Sequence, residues 1–397
     1  QKMFESSKLA GESAVANGFY SYKMTNKYKF DFDLNKTVLG VMYRLTPESR
    51  NDKKNFDRLG FQVFDDNMKK LWGGEFTMPY TEAVMDNSDF TVDSKGNVYM
   101  VAKVYDNDRR IERDKATGMP AYHFEILKFS KDNKKFETIL LTLNDNYSRE
   151  TSIKETTNGE IVVASTYSKR AKGNGTAGVF LAKINADNKL EKLNKGFFEF
   201  PKEQLAKFES DRTKRRMDKN EEYEALNLQV RDLIVEKDGS VLITCEEYEV
   251  RYHYTQNRVI PYYLYNDIVA SKINAAGEFE WLRKIPKKQQ GTRGRGTMSF
   301  KLINDASGYY FLYLDHIKNL DLPEDRAPRM HQDGAGGQVI VTKISNTGDV
   351  TKDLLFDTRD EDIMIFPADF YKIDGNRFIG RARIKKKLFQ PLLIKSK

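Results

Sequence analysis

One cysteine and four histidines in 397 residues leave several kinds of chemistry without raw material. Cys245 alone cannot form an internal disulfide, a CxxC pair or a thiolate zinc cluster. It lies in the apolar run SVLITCEEY, where a small buried hydrophobe is expected rather than a nucleophile. His123, His253, His316 and His331 show no close spacing of a local metal motif. No apolar run approaches the roughly 20 residues that a helix needs to cross a bilayer. There is no HExxH and no G-x-S-x-G nucleophile elbow. The stretch QQGTRGRGT (289–297) lacks the GKS/T ending of a P-loop and is expected to be a linker; a single RGRG does not make a nucleic-acid site. No cofactor, no metal and no catalytic residue is therefore assigned, and no nucleic-acid partner is expected.

What the chain has in quantity is strand-forming residues. Tyr and Phe number 21 and 25, which favours strands over helices. Charged residues make up 31%, a heavily charged globular surface rather than a disordered chain. The net charge of +8 permits an acidic partner without requiring one. The chain starts at Gln1 rather than Met, so removal of a tag or a signal peptide is expected, the latter placing the protein in the periplasm or outside the cell.

A hairpin unit recurs along the sequence. It is seen in KFDFDLNKTVLGVMY (29–43), DFTVDSKGNVYMVAKVY (89–105), TSIKETTNGEIVVASTY (151–167), RDLIVEKDGSVLITCEEY (231–248), SFKLINDASGYYFLYLD (299–315) and DFYKIDGNRFIGRARI (369–384). Each is a short alternating strand, a tight turn and a longer apolar strand. The turn positions Lys36, Gly96, Gly159, Gly239, Gly308 and Gly375 are 60, 63, 80, 69 and 67 residues apart by subtraction. A period of that size is a four-stranded blade. A second hairpin recurs out of phase, as in VFLAKINADNKLEKLNKGFF (179–198), and its last copy, LFQPLLIKSK (388–397), supplies one strand only.

The expected fold is all-β: a six-bladed β-propeller of four-stranded antiparallel blades, forming one domain over 1–397. Its blades fall at about 27–80, 87–146, 147–200, 227–288, 297–358 and 366–397. The N-terminal stretch 16–24 completes the last blade and closes the ring. A helical insertion is expected over 201–226, with Pro201 in its first turn. The competing arrangements are seven blades, or two sandwich domains built from generic hairpins.

If the chain reverses at each strand end, the long connections 44–60, 106–122, 168–178, 249–267 and 316–338 share one face with the 201–226 insertion. Long loops on a rigid scaffold are where binding usually sits. These insertions are basic. The candidate partner-binding residues are Arg109, Arg110, Arg113, Arg170, Arg215, Arg216, Arg251, Tyr252, Arg258, Arg293, Arg295 and Arg326. Arginine offers a planar fork to carboxylate or phosphate, and the tyrosines of EEYEVRYHYTQNRVIPYYLY (246–265) add rings that grip a sugar or a peptide. A solvated rim balanced by Asp108, Glu112, Asp114, Asp211 and Glu221 is the simpler alternative.

Hairpins such as VDSKGNVYMVAKVY and LAKINADNKLEKL resemble those of large secreted or periplasmic β-propellers in the cell envelopes of Bacteroidota, from about residue 27 to the end. The resemblance implies a non-catalytic envelope propeller that binds a protein partner through its basic face. One role within that group is an accessory or plug subunit of an outer-membrane export translocon. Glycan binding or processing on the same face is the alternative function, with an anionic glycan as the alternative partner. No transmembrane segment is expected.

Overall fold

In the computed structural model the described residues are 9–10, 12–13, 24–25, 28–48, 51–131, 135–220, 223–256, 258–374, 377–384 and 388–395. Strand far outweighs helix among them, and many of the sheets are four-stranded and antiparallel. Contacts divide the chain into two compact units. The first holds Gln1–Glu199 together with Leu233–Leu242 and Asn274–Glu278, and the second holds Phe200–Asp232, Ile243–Ile273 and Phe279–Lys397.

The first unit contains three meandering sheets. Their strands are Tyr28–Phe32, Val38–Leu45, Phe56–Asp65 and Lys70–Thr81; Met85–Val92, Val98–Tyr105, Tyr122–Phe129 and Glu137–Leu141; and Tyr147–Glu155, Ile161–Ser168, Gly178–Ile184 and Leu190–Glu199. The middle strands are covered on both faces: all eight residues of Ile161–Ser168 are buried, its Ser and Thr residues included. The outermost strand, Leu190–Glu199, returns to mixed exposure. The sheets stack face to face. Phe61 of the first sheet meets Phe129 of the second with ring centroids 4.6 Å apart, inside a core that runs from Val38 to Phe129. The opening strands of the three sheets lie against one another. Glu155 knits their turns together, its carboxylate accepting from Leu34 N at 2.9 Å and from Ser94 N at 2.6 Å.

The second unit repeats the plan. One sheet comprises Leu228–Val235, Val241–Tyr254, Val259–Ile273 and Phe279–Ile285, with the tips of its hairpins grouped in the first unit. Another comprises Phe300–Asp305, Gly308–Asp315, Gln338–Ser345 and Val350–Asp357. In the last sheet Ile363–Ile365 and Tyr371–Asp374 take successive parts of one edge of Arg377–Ile384, and Leu388–Lys395 takes the other. Residues 16–23 of the expected closing strand lie outside the described residues; Met24 pairs with Ser13.

The turns explain the recurrence. Lys36, Gly96, Gly159, Gly239 and Gly308 all have positive φ, at 59°, 83°, 72°, 87° and 140°. A tight hairpin needs that conformation, which Gly reaches without a steric penalty. Gly375 is not among the described residues.

Two expectations are corrected. The insertion after residue 200 is two short helices, α1 (Lys202–Ala206) and α2 (Asp211–Asp218), rather than one. Phe208 breaks the run with φ 58° while its N–H goes to Glu324 O at 2.7 Å. Pro201 is the residue before α1, and Ser210 caps α2 by accepting from Thr213 N. The segment 249–267 is not a loop. It extends Val241–Tyr254 and Val259–Ile273 into a ribbon whose outer end is exposed.

Candidate functional site

The inner half of Val241–Tyr254 is apolar and buried; its outer half is polar and aromatic. Side chains alternate along a strand, so Glu246 and Tyr248 share one face while Cys245 and Glu247 take the other. Cys245 is buried, as its apolar surroundings imply.

Glu246 is fully enclosed. Its Oε1 accepts from Lys287 Nζ at 2.7 Å. Its Oε2 accepts from Arg231 Nε at 2.9 Å and from Ser299 Oγ at 2.8 Å. Burial pushes such a carboxyl up, but Lys287 and Arg231 outweigh it and hold Glu246 below its usual range. Lys287, equally enclosed, spends its other ammonium protons on Tyr265 O at 2.9 Å and Gln289 Oε1 at 3.2 Å. Gln289 is fixed in turn, accepting from Ser299 N and donating to Leu314 O, both at 2.7 Å. Glu246 is thus a saturated anchor rather than a free base.

Arg231 is the partly exposed member, its side chain 23% accessible against 0% for Glu246. Its guanidinium lies 5.4 Å from the centre of the Tyr248 ring and 5.8 Å from that of Tyr265, and the two rings are 4.9 Å apart. Arg231 Nη2 is buried and has no acceptor within the protein. Arg295 approaches from the 291–299 loop, donating to Ser299 Oγ at 3.0 Å and to Phe300 O at 3.3 Å. Burial raises the phenol of Tyr265 above its ordinary value despite Arg231 and Arg295. Tyr248 is raised for the same reason. Both phenols therefore stay protonated and act as donors. Beyond them on the ribbon, Tyr252 and Tyr254 are 59% and 74% exposed.

On the other face, Lys284 Nζ reaches Leu205 O at 3.0 Å, Glu209 Oε1 at 2.6 Å and Asp267 Oδ2 at 3.1 Å, anchoring α1 and its exit to the sheet. Glu247 adds a third carboxyl. Burial first, then Asp267 and Glu209, raise it to about 7. A carboxyl raised on folding stabilises the fold below its unfolded value, and that contribution disappears as pH rises through about 7. Glu247→Gln is therefore expected to gain about 2 kcal/mol relative to the parent between pH 5 and pH 8, measured by urea denaturation at each pH.

The predicted binding residues are dispersed. Arg109, Arg110, Arg113 and Arg170 belong to the first unit; Arg215, Arg216, Arg251, Tyr252, Arg258, Arg293, Arg295 and Arg326 belong to the second. Arg110 is tied to Asp86 at 2.7 Å and donates to the carbonyls of Ala83 and Met85. Arg113 donates to the carbonyls of Ala171 and Gly173, and the carbonyl of Arg170 accepts from Arg149 at 2.6 Å. These residues tie neighbouring loops together. Arg109, Arg215, Arg216, Arg258, Arg293 and Arg326 are exposed, and Arg251 pairs with Glu249 at 2.7 Å. Only Arg295 and Tyr252 flank the cluster. Lys287, from the basic stretch PKKQQ, is buried against Glu246. Arg231 carries no sequence signal, because its partners come from strands and loops distant in the chain. The tyrosines of the 246–265 stretch, Tyr248 and Tyr265 among them, are the part legible in the sequence.

The histidines stay separate in role. His123 Nε2 lies 3.2 Å from Glu125, His253 rests by Tyr262, His316 Nδ1 accepts from Lys318 N, and His331 is buried. Among the described residues no group of three His, Cys, Asp or Glu side chains is placed to hold a metal ion. No helix among them is long and apolar enough to cross a membrane.

No family model and no curated protein matches the chain. Solved structures do. A protein of unknown function from Dyadobacter fermentans has a TM-score of 0.39 and 10% identity, over 93% of this chain and 94% of its own. An ulvan lyase, a polysaccharide lyase with -[GlcA(1-4)Rha3S]- bound, has a TM-score of 0.44 and 8% identity, over 96% and 81%. The Trypanosoma rangeli sialidase in complex with sialic acid has a TM-score of 0.39 and 9% identity, over 100% and 58%. The activities named among these structures are carbohydrate-directed. The expectation of a non-catalytic propeller that binds a protein partner is corrected accordingly.

Proposed function

We propose that this protein binds and processes an acidic glycan at the Arg231–Tyr248–Tyr265 cluster. The observation that carries the reading is Arg231 itself. A guanidinium set beside two tyrosine rings, locked by a buried carboxylate and on a side chain 23% accessible, suits a sugar carboxylate or sulfate ester. The half-buried Tyr248 ring offers a face for the sugar, and the buried Tyr265 ring backs it. The raised phenols stay protonated and offer hydrogen-bond donors beside the positive charge. Arg295, fixed to the buried Ser299, extends the polar wall, and the exposed Tyr252 and Tyr254 continue the ribbon outward. We place the cluster within a six-bladed propeller closed by the N-terminal segment, acting in the periplasm or outside the cell.

The test compares acidic with neutral oligosaccharides by calorimetry, together with a reducing-end assay for turnover. Arg231→Lys keeps the positive charge and the pairing with Glu246 but removes the fork. A charged hydrogen bond contributes about 1.5–3 kcal/mol, so affinity for the acidic glycan is expected to fall about 10- to 100-fold. Unchanged affinity, or equal binding of neutral and acidic sugars, contradicts the proposal.

A further inference from the structure

The second unit holds a pocket of about 290 Å³ lined by Gly334, Ala335, Gly336, Thr358, Arg359, Asp362, Met364 and Arg383. We infer that it is an oxyanion subsite that takes a sulfate or carboxylate group carried by the same glycan, an assignment that rests on the reading of the Arg231 cluster.

Three features point to an anion. Arg383 Nε is buried in the protein with no acceptor. Arg359 supplies a second guanidinium, held in place by two 3.3 Å hydrogen bonds from its Nε and Nη2 to Ala335 O. Against these two positive charges the lining offers one acid, Asp362, so the pocket is net positive. The wall is shaped for close approach. Gly334 and Gly336 both have φ 74°, and a Cβ on Gly336 would lie 2.9 Å from Arg359 Cγ, so only glycine lets the arginine lie flat over the loop. Thr358 locks that loop, its Oγ1 accepting from Gly337 N at 2.7 Å and its N–H reaching Gly337 O at 2.9 Å.

The same loop joins the pocket to the first site. Asp333 precedes Gly334, and its Oδ1 accepts from Thr297 N at 2.9 Å and Thr297 Oγ1 at 2.7 Å. Thr297 belongs to the segment that carries Arg295 and Ser299. A single loop therefore has the Arg295 segment on one side and the two-arginine pocket on the other. That arrangement suits a chain bearing several acidic groups rather than a single free ion.

The test uses the full chain and three probes at constant ionic strength: inorganic sulfate, inorganic phosphate and a sulfated oligosaccharide. Binding is followed by calorimetry. The oligosaccharide is expected to bind at least ten times more tightly than sulfate, and Arg383→Met to weaken both at least tenfold. Arg359→Met alters an exposed side chain and serves as the second variant should Arg383→Met fail to fold; it is expected to weaken both several-fold. Sulfate binding that is absent, or unaffected by both pocket variants, overturns the subsite. Phosphate binding tighter than the oligosaccharide overturns its assignment to a glycan. Sulfate binding that is lost in Arg383→Met, with no oligosaccharide bound by the parent, upholds the pocket and removes the glycan reading of the Arg231 cluster.

Discussion

Lys287→Met is expected to lower the stability of the second unit by about 3–5 kcal/mol in equilibrium denaturation, the loss typical of breaking a fully buried ion pair. The size follows from what remains. Glu246 and Lys287 are both inaccessible to solvent, and their 2.7 Å contact is the inner end of the cluster. Methionine fills the stem of lysine but leaves Glu246 Oε1 without its donor, and it also frees Tyr265 O and Gln289 Oε1. A carboxylate in that position cannot recruit water from an enclosed site. The double variant Lys287→Met with Glu246→Gln removes both charges and is expected to recover more than half of the loss. If the single variant costs less than about 1 kcal/mol, Glu246 is not the ionised anchor described above.

Gly308→Ala is expected to destabilise the same unit by about 3 kcal/mol or more, from backbone strain and overpacking together. Gly308 sits at φ 140°, where L-residues are rarely found. Its added Cβ would press on Ile344 O and lie 3.0 Å from Ser345 Cα. Both are backbone atoms of the paired strand, which cannot turn aside as a side chain could. Gly308 pairs across with Ser345, so relief requires the two strands to separate at the turn. By comparison, a Cβ on Gly159 has nothing closer than 3.6 Å and meets only its positive φ, so Gly159→Ala is expected to cost about 1 kcal/mol. Equal effects of the two substitutions in thermal or urea unfolding would show that backbone crowding at Gly308 is not decisive.

The hairpins were legible because local physics writes them. Apolar strands alternate with a Gly or Asn turn, and the five described turn positions of the repeat all adopt positive φ. The Tyr-rich ribbon was legible as composition but not as form: 249–267 reads as a loop, yet strand pairing carries on through it. The site was the least legible part. Arg231 stands in an ordinary strand sequence, and its meaning depends on Glu246, Tyr248 and Tyr265 being brought beside it by pairing across the sheet. Lys287 looks like one more basic loop residue in PKKQQ until the fold encloses it with Glu246. Arg110 and Arg113 read in the sequence as free rim arginines, yet nearby backbone offers carbonyls to them.

The most direct measurement of the central claim is hydrogen–deuterium exchange with and without an acidic oligosaccharide. The account predicts slowed exchange confined to the ribbon around 246–265 and the loops at 289–299 and 333–337, with no change on adding a neutral sugar of the same length. Protection absent from these segments, or equal for neutral and acidic sugars, would contradict it.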